Sequence, residues 1–510
     1  MTLLRSSTVD AVLRRSAARV PRRVALRFAD REWTYAELDA AVTRAAARLL
    51  DVGLAKGDRV AAYGRNSDAY LIAFLACARA GLVHVPINYN LTGEELSYLL
   101  AQSGSAIALV DPALQGNVDA VDVSLRGVMA LRDAPGSLLE QASAGDVPRL
   151  DVEVDDSDLV QLLYTSGTTS RPKGAMMTHR ALVHEYISSI VGLDFTEDDG
   201  PLHVMPLYHS AQMHVFLMPL LAVGATNDLL EVPDPAEVLR RITENGHHAF
   251  FAAPTLWVAI ANHPDFGKRD LSALRKAYYG ASIMPGPILR RLSDAMPGIG
   301  FYNCFGQSEI APLAAVLGPA DHADRPDSAG RAALFVELRV VDDAGNDVAP
   351  GELGEVVYRS PQLCEGYWEK PEDTEEAFRG GWFHSGDLVR IDEQGYLFVV
   401  DRIKDVINTG GVMVASREVE DALYTHPAVG EVAVVGLPDE KWIEAITAVV
   451  VAKADVEREE LLTHVRAKLA HFKVPKAVHF VDELPRNASG KILKRELRDR
   501  FGAGAAEPAR

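Results

Sequence analysis

The sequence predicts an α/β protein in two unequal parts: a large N-terminal domain of α/β layers carrying an antiparallel β subdomain, and a small C-terminal α+β domain. Three observations carry this. Up to about residue 320, short apolar runs alternate with segments of helical period, the pattern of parallel strands joined by crossover helices. Between about 329 and 400 the rhythm turns to alternating runs separated by Gly and acidic residues, the mark of tight antiparallel turns. After "DRIKD" at 401 a fresh α+β pattern begins, long enough for a domain of roughly a hundred residues. The boundaries read from this are 1–400 and 401–510, with the β-rich part at about 329–400.

In order along the chain, "RVAAYG" at 59 reads as a strand and "SDAYLIAFLACARA" at 67 as the helix that follows it; "HAFFAAP" at 248 and "TLWVAIANH" repeat the unit. "VELRVVDDAGNDVAPGELGEVVYRS" and "LVRIDEQGYLFVV" read as hairpin strands. The last part reads as helix "SREVEDALYTH", strands "EVAVVGL" and "AITAVVVAKA", and helix "REELLTHVRAKLAHF", before a frayed tail "GAGAAEPAR".

Composition narrows the function classes. With 510 residues, 48% of them hydrophobic, the chain can bury substantial cores. A net charge of −19 argues against a general nucleic-acid or anionic-membrane binder, because a surface of that sign repels phosphate at long range. Cys77, Cys304 and Cys364 lack paired spacing and read as ordinary buried thiols, so neither a disulfide framework nor a cysteine zinc site is expected. The N-terminal stretch lacks the apolar core of a signal peptide, and "HVFLMPLLAVGA" at 214 is too short for a bilayer span. A cytoplasmic protein with no integral membrane segment is expected.

The stretch with the clearest chemistry is "TSGTTSRPKG" at 165, directly after the apolar run "LVQLLY". Backbone N–H groups, hydroxyls and one Lys turned toward a point suit a polyphosphate. It is not a Walker A loop, since Lys173 precedes its Gly and no hydroxyl follows.

"LLYTSGTTSRPKGAMMTHRAL" resembles the phosphate-loop signature of the adenylate-forming superfamily: acyl-CoA synthetases, carrier-protein adenylation domains and luciferases. "AGLVHVPINYNLTGEELSYLL", "YNCFGQSE" at 302, "FHSGDL" at 383, "VDRIKDVINTGG" at 400 and "LPRNASGKILKREL" at 484 fall in the family's order, so the similarity spans nearly the whole chain. The resemblance implies ATP, Mg²⁺ and CoA as cofactor and substrates, and it implies roles residue by residue. Thr165, Ser166, Gly167, Thr168, Thr169 and Lys173 hold phosphates. Gly280, Ala281 and Ser282 form one wall of the adenine slot, with Asn303, Phe305 and Gly306 on the other side. Ser308 approaches the α-phosphate, and Glu309 with Thr165 serves Mg²⁺. Asp387, expected in a Gly turn, and Arg402 hold the ribose. Lys491 grips the carboxylate and α-phosphate during adenylation. Asp401 is the hinge on which a mobile small domain exchanges Lys491 for the face carrying Gly410 and Gly411; Lys473 meets CoA phosphate.

The reaction so implied joins a carboxylic acid to AMP and then to a thiol. His209 in "PLYHSAQMHVF" matches an aromatic-or-histidine gate of the acyl tunnel. That segment carries no acid, and "APTLWVAI" at 253 and "YYGASIMP" at 278 carry neither acid nor base, which favours a monocarboxylate with an apolar tail. A medium- or long-chain fatty acid leads, and an aryl or arylpropenoic acid follows. The expected partners are therefore small molecules, with a homodimer compatible and no nucleic acid. Ser170, Phe305 and Ser308 depart from the family's usual Gly, Tyr and Thr; Ala415-Ser416 stand where an aromatic-Pro pair is frequent; Ile443 stands where Gly commonly follows Trp. A stand-alone enzyme loading a carrier protein is the nearest rival. A nucleotide-binding protein without turnover is expected to have lost Lys491, Glu309 or Asp387, and all three are present.

Overall fold

Two large sheets and the helix buried between them set the positions of everything else. The structure is a computed structural model and describes residues 7–165, 171–282, 284–486 and 492–502. The first sheet has six strands in the order Gly127–Ala130, Ser105–Val110, Arg59–Tyr63, Val83–Ile87, Leu159–Thr165, Lys173–Thr178. All neighbours are parallel except the last pair. The second has nine strands. Its parallel centre runs from Gly300–Gly306 through Lys276–Gly280, Ala249–Ala252, Pro201–His203 and Asn227–Leu229 to Val24–Phe28.

Helix Asp68–Ala80 touches strands of both sheets, and every residue in it except Arg79 is buried. A helix that is apolar all round belongs between layers. Its ends follow from sequence: Ser67 caps the first turn through its hydroxyl, and Gly81 closes the last in a left-handed conformation. Buried Asp68 is answered by Arg31 at 2.7 and 2.8 Å and by the Trp33 indole at 2.9 Å.

A second link between the sheets is polar. Residues Ala211–Leu217 form a π-helical segment, in which the Met218 N–H reaches back to the Met213 carbonyl. Wide turns of this kind concentrate at functional sites. From it, His214 Nε2 donates to Gln161 Oε1 on the first sheet at 2.7 Å, while Gln212 Nε2 donates to His203 Nδ1 on the second at 2.8 Å. Tyr186 donates to His214 Nδ1 at 3.1 Å, and Gln161 donates to His84 at 3.0 Å. Burial holds these imidazoles neutral, His84 and His214 down at about 3 and His203 at about 4.

The antiparallel subdomain is a four-stranded sheet, Glu337–Val341, Leu353–Arg359, Phe383–Ile391 and Leu397–Arg402, sharing a core with one end of the second large sheet. The last part builds its own core on strands Val412–Val414, Ile407–Thr409, Ile443–Ala452 and Val429–Asp439, with Ala477–Phe480 parallel to Ile443–Ala452. Both agree with the sequence reading. Cys77, Cys304 and Cys364 are buried and free. Among the described residues no helix is long and apolar enough to cross a membrane.

Strand Lys173–Thr178 returns antiparallel beside Leu159–Thr165. One expectation is corrected. Asp387 lies inside strand Phe383–Ile391, not in a turn. Gly386, left-handed at φ +72°, and the register shift after Leu388 bend the strand without ending it.

The buried imidazoles give a pH dependence with a definite sign. The folded value of His214 lies below its unfolded value of 6.5, so the unfolded chain takes up the proton first; the contribution is full above 6.5 and is lost as pH falls toward about 3. Between pH 6.5 and 5 this amounts to about 2 kcal/mol per such group. In urea titrations, His214→Gln should shrink the acid-side stability loss by that amount.

Candidate active site

The C-terminal ends of parallel strands from both sheets meet at one place, the location where open α/β sheets hold ligands. Thr165 ends strand Leu159–Thr165 and pairs across the hairpin with Lys173, so the base of the loop presents a hydroxyl beside an ammonium. Thr165 Oγ1 donates to Glu309 Oε1 at 3.0 Å, joining the first sheet to the turn Ser308–Ile310 of the second. The Tyr367 hydroxyl donates to the same carboxylate oxygen at 3.1 Å, and the Lys173 ammonium lies 5.2 Å from the centre of the Tyr367 ring while pairing with Asp373. Burial first, then the Glu309 charge, keep the Tyr367 phenol well above its ordinary value, so it remains a donor.

Glu309 is buried, and among the described residues its carboxylate is met by two neutral hydroxyls and by no cation. The neighbouring Gln307 side-chain oxygen Oε1 is buried with no partner among the described residues. A hard cation fits this donor set. No group of three or more His, Cys, Asp or Glu gathers among the described residues, so Mg²⁺ at Glu309 would complete its shell from phosphate and water, as that ion commonly does.

The residues expected at the adenine slot lie on or beside two neighbouring strands. Strands Lys276–Gly280 and Gly300–Gly306 are parallel neighbours, and a side chain on Gly280 would come within 2.2 Å of the Cys304 carbonyl oxygen. Gly306, at φ +156°, is under a similar constraint, since a Cβ there would come 1.9 Å from the Pro312 carbonyl oxygen. Ala281 follows at φ +63°, and Ser282 is exposed. Phe305 packs against the second-sheet core, while the Asn303 amide donates to the Ser328 carbonyl at 3.0 Å.

A narrow cleft beside this cluster is lined by Met205, His209, Gln212, Phe251, Ala253 and Ala281, among others. His209, expected as a gate, is one of the residues lining this cleft, and its Nδ1 accepts from Ala211 N at 3.3 Å. Ser210, the next residue, is hydrogen-bonded to Ser308 at 2.9 Å and ties the cleft to the nucleotide side.

A second cluster lies on the antiparallel sheet. Asp387 and Arg402 are cross-strand partners joined at 2.8 Å, and Arg402 also donates to the Ser385 carbonyl at 3.1 Å. Asp401 pairs with Leu388 in the sheet, yet its carboxylate reaches the last part of the chain: the N–H and hydroxyl of Ser416 both donate to Oδ2 at 2.7 Å. Ser416 begins helix Ser416–Tyr424, whose first turn favours a carboxylate. Proline, frequent here in the resembling family, has neither donor. Lys494 braces the contact from Ser416 Oγ at 2.6 Å and Glu420 at 2.8 Å.

A third cluster carries Gly410 and Gly411, next to Trp442 and Ile443. Lys473, expected at CoA phosphate, is held by both Glu418 oxygens at 2.6 Å. Ser166, Gly167, Thr168, Thr169, Ser170 and Lys491 lie outside the described residues. Sequence reasoning missed Tyr367, Asp373 and Ser210. Each acts through a partner far away in the chain, and no local spacing marks it.

This architecture is that of an adenylate-forming enzyme of two parts. Residues 13–368 match the AMP-binding enzyme family and 418–491 its C-terminal domain, and the chain belongs to that family. It is an AMP-forming acid–thiol ligase, a reaction that uses ATP with Mg²⁺ and CoA. It is similar to a feruloyl-CoA synthase from Amycolatopsis sp., at 41% identity over 96% of this chain and 98% of the relative. It is also similar to the long-chain-fatty-acid–CoA ligase FadD13 of Mycobacterium tuberculosis, at 34% identity over 93% and 94%. Among solved structures, the anthranilate CoA ligase AuaEII in complex with anthranoyl-AMP superposes with a TM-score of 0.92 at 26% identity, covering 98% of each chain.

The Asp401 contact generates one prediction here. Ser416→Ala removes a hydroxyl donated to a charged carboxylate, so local opening around the link should become easier by about 1.5 kcal/mol or more. Hydrogen exchange at the amides of Arg402 and Ser416 should accelerate roughly tenfold.

Proposed function

We propose that the chain activates an aryl or arylpropenoic acid and transfers it to CoA. What carries this reading is the cleft at His209. Among the described residues its lining holds no carboxylate or ammonium, and it includes Phe251, whose ring stacks on that of Phe216 with centres 4.1 Å apart. A planar acid gains offset-stacked contact on such a wall, whereas a charged tail would be left unpaired. The similarity to a feruloyl-CoA synthase supports the same class. The fatty acid favoured by the sequence becomes the second reading, supported by the equally uncharged lining and by the similarity to FadD13.

The chemistry falls to these residues in two displacements. In the first, an acid oxygen attacks the α-phosphorus of ATP, and the bond to the bridging oxygen breaks with release of pyrophosphate. Lys173 exchanges Asp373 for phosphate oxygens, and Ser308 meets the α-phosphate. Mg²⁺, held by Glu309 with Thr165 beside it, supplies charge neutralisation on the phosphates when bound. Tyr367 keeps the Glu309 carboxylate oriented. Lys491 places positive charge where two anions meet, while Asp387 and Arg402 hold the ribose. In the second, the CoA sulfur attacks the acyl carbonyl and the carbon–oxygen bond to AMP breaks. Rotation at Asp401 exchanges Lys491 for the face of Gly410 and Gly411 between the two.

The test is kcat/KM for thioester formation with hydroxycinnamic and benzoic acids against saturated fatty acids of increasing length. A preference for the planar acids is expected; an optimum at a long saturated chain would overturn it in favour of the second reading. Lys491→Ala should slow adenylate formation by roughly 10²–10³-fold, the cost of one lost transition-state donor. Conversion of supplied acyl adenylate to thioester should stay comparatively intact.

A further inference from the structure

Ile443 occupies a backbone conformation that its side chain opposes. Its φ is +67°, in the left-handed region where a β-branched residue is a true outlier. Core packing does not offset that strain, since the residue is 56% exposed. Glycine, which commonly follows Trp at this position in the resembling family, adopts the conformation freely. A strained side chain that projects into solvent is an observation from which function can be argued.

Its surroundings indicate which function. Ile443 is the cross-strand partner of Thr409, and the Gly410 N–H donates to the Trp442 carbonyl at 2.6 Å, so Ile443 is tied to the turn carrying Gly410 and Gly411. Thr409 in turn pairs with Val412, itself substantially exposed, as is Met413. The Thr409 hydroxyl is buried and finds no hydrogen-bond partner among the described residues. Apolar side chains thus stand open beside an unanswered buried hydroxyl. That combination suits a narrow ligand with alternating methylene and amide groups.

We propose that Ile443 is a specificity-determining residue for the thiol acceptor, an apolar wall that contacts the pantetheine arm and selects thiols that carry one. This inference rests on the thioester-forming reading above. It explains why the chain keeps a residue that the backbone disfavours: the side chain serves the second displacement at the expense of stability.

The experiment compares the full-length protein with Ile443→Gly and Ile443→Ala in three measurements: pyrophosphate–ATP exchange, thioester formation with CoA, and thioester formation with cysteamine, which lacks the pantetheine chain. Exchange reads adenylation and should stay within about twofold, since Ile443 lies apart from the Thr165–Glu309 cluster. The KM for CoA should rise roughly tenfold in Ile443→Gly, the worth of a half-exposed aliphatic side chain covered by ligand. Ile443→Ala, which keeps part of the strain, should raise it as well. The KM for cysteamine should not move, and the melting midpoint of Ile443→Gly should rise. An unchanged KM for CoA alongside a higher melting midpoint would overturn the proposal, as would equal KM shifts for CoA and cysteamine. A wild-type protein that forms adenylate but no thioester is a different failure, because it removes the underlying reading itself.

Discussion

The hydrogen bond from Thr165 to Glu309 is the point on which the arrangement turns. Each residue ends or follows a strand of a different sheet, and neither sheet alone presents both a phosphate loop and a buried carboxylate. The bond is possible only because the two sheets share a core, with helix Asp68–Ala80 held between them. Tyr367 adds a second neutral donor to the same oxygen. The carboxylate is therefore fixed in place while its charge stays uncompensated by any described cation, the condition in which a carboxylate attracts a metal ion most strongly.

The contact at Asp401, the hinge we propose, contrasts with this rigidity. Asp401 is bound through its backbone to one sheet and through its side chain to a helix of the other part of the chain. The proposed rotation about this residue would exchange the two Ser416 bonds for others or for water. With Ser416 in place of a proline, the link gains two charge-assisted bonds in the arrangement seen. Under the proposed rotation, one side chain would thus help to set the balance between arrangements.

Much of this was legible in the sequence, and for identifiable reasons. Periodicity separated the α/β, antiparallel and α+β parts because each buries its apolar residues at a different spacing. The residue types at Thr165, Lys173, Glu309 and Asp401 were readable because they fall in local motifs. Asp387 was misplaced because Gly386 looks like a turn residue, whereas the strand absorbs its positive φ as a bend. Tyr367, Asp373 and Ser210 were invisible because their roles exist only through contacts with residues far away in the chain. Ile443 was visible as a departure, but only the backbone angle shows that the departure carries strain.

The π-helical segment Ala211–Leu217 also bears on how such an enzyme can diversify. Its side chains are committed in several directions at once: Gln212 to His203, His214 to Gln161, and the preceding Ser210 to Ser308. A substitution there to reshape the cleft at His209 would leave a buried polar group unanswered on one sheet or the other. Met205, Phe251 and Ala253 line the same cleft without such side-chain obligations. If the cleft holds the acid as proposed, divergence toward new acids would be channelled onto these residues, while the π-helical segment stays fixed by its duties to the scaffold.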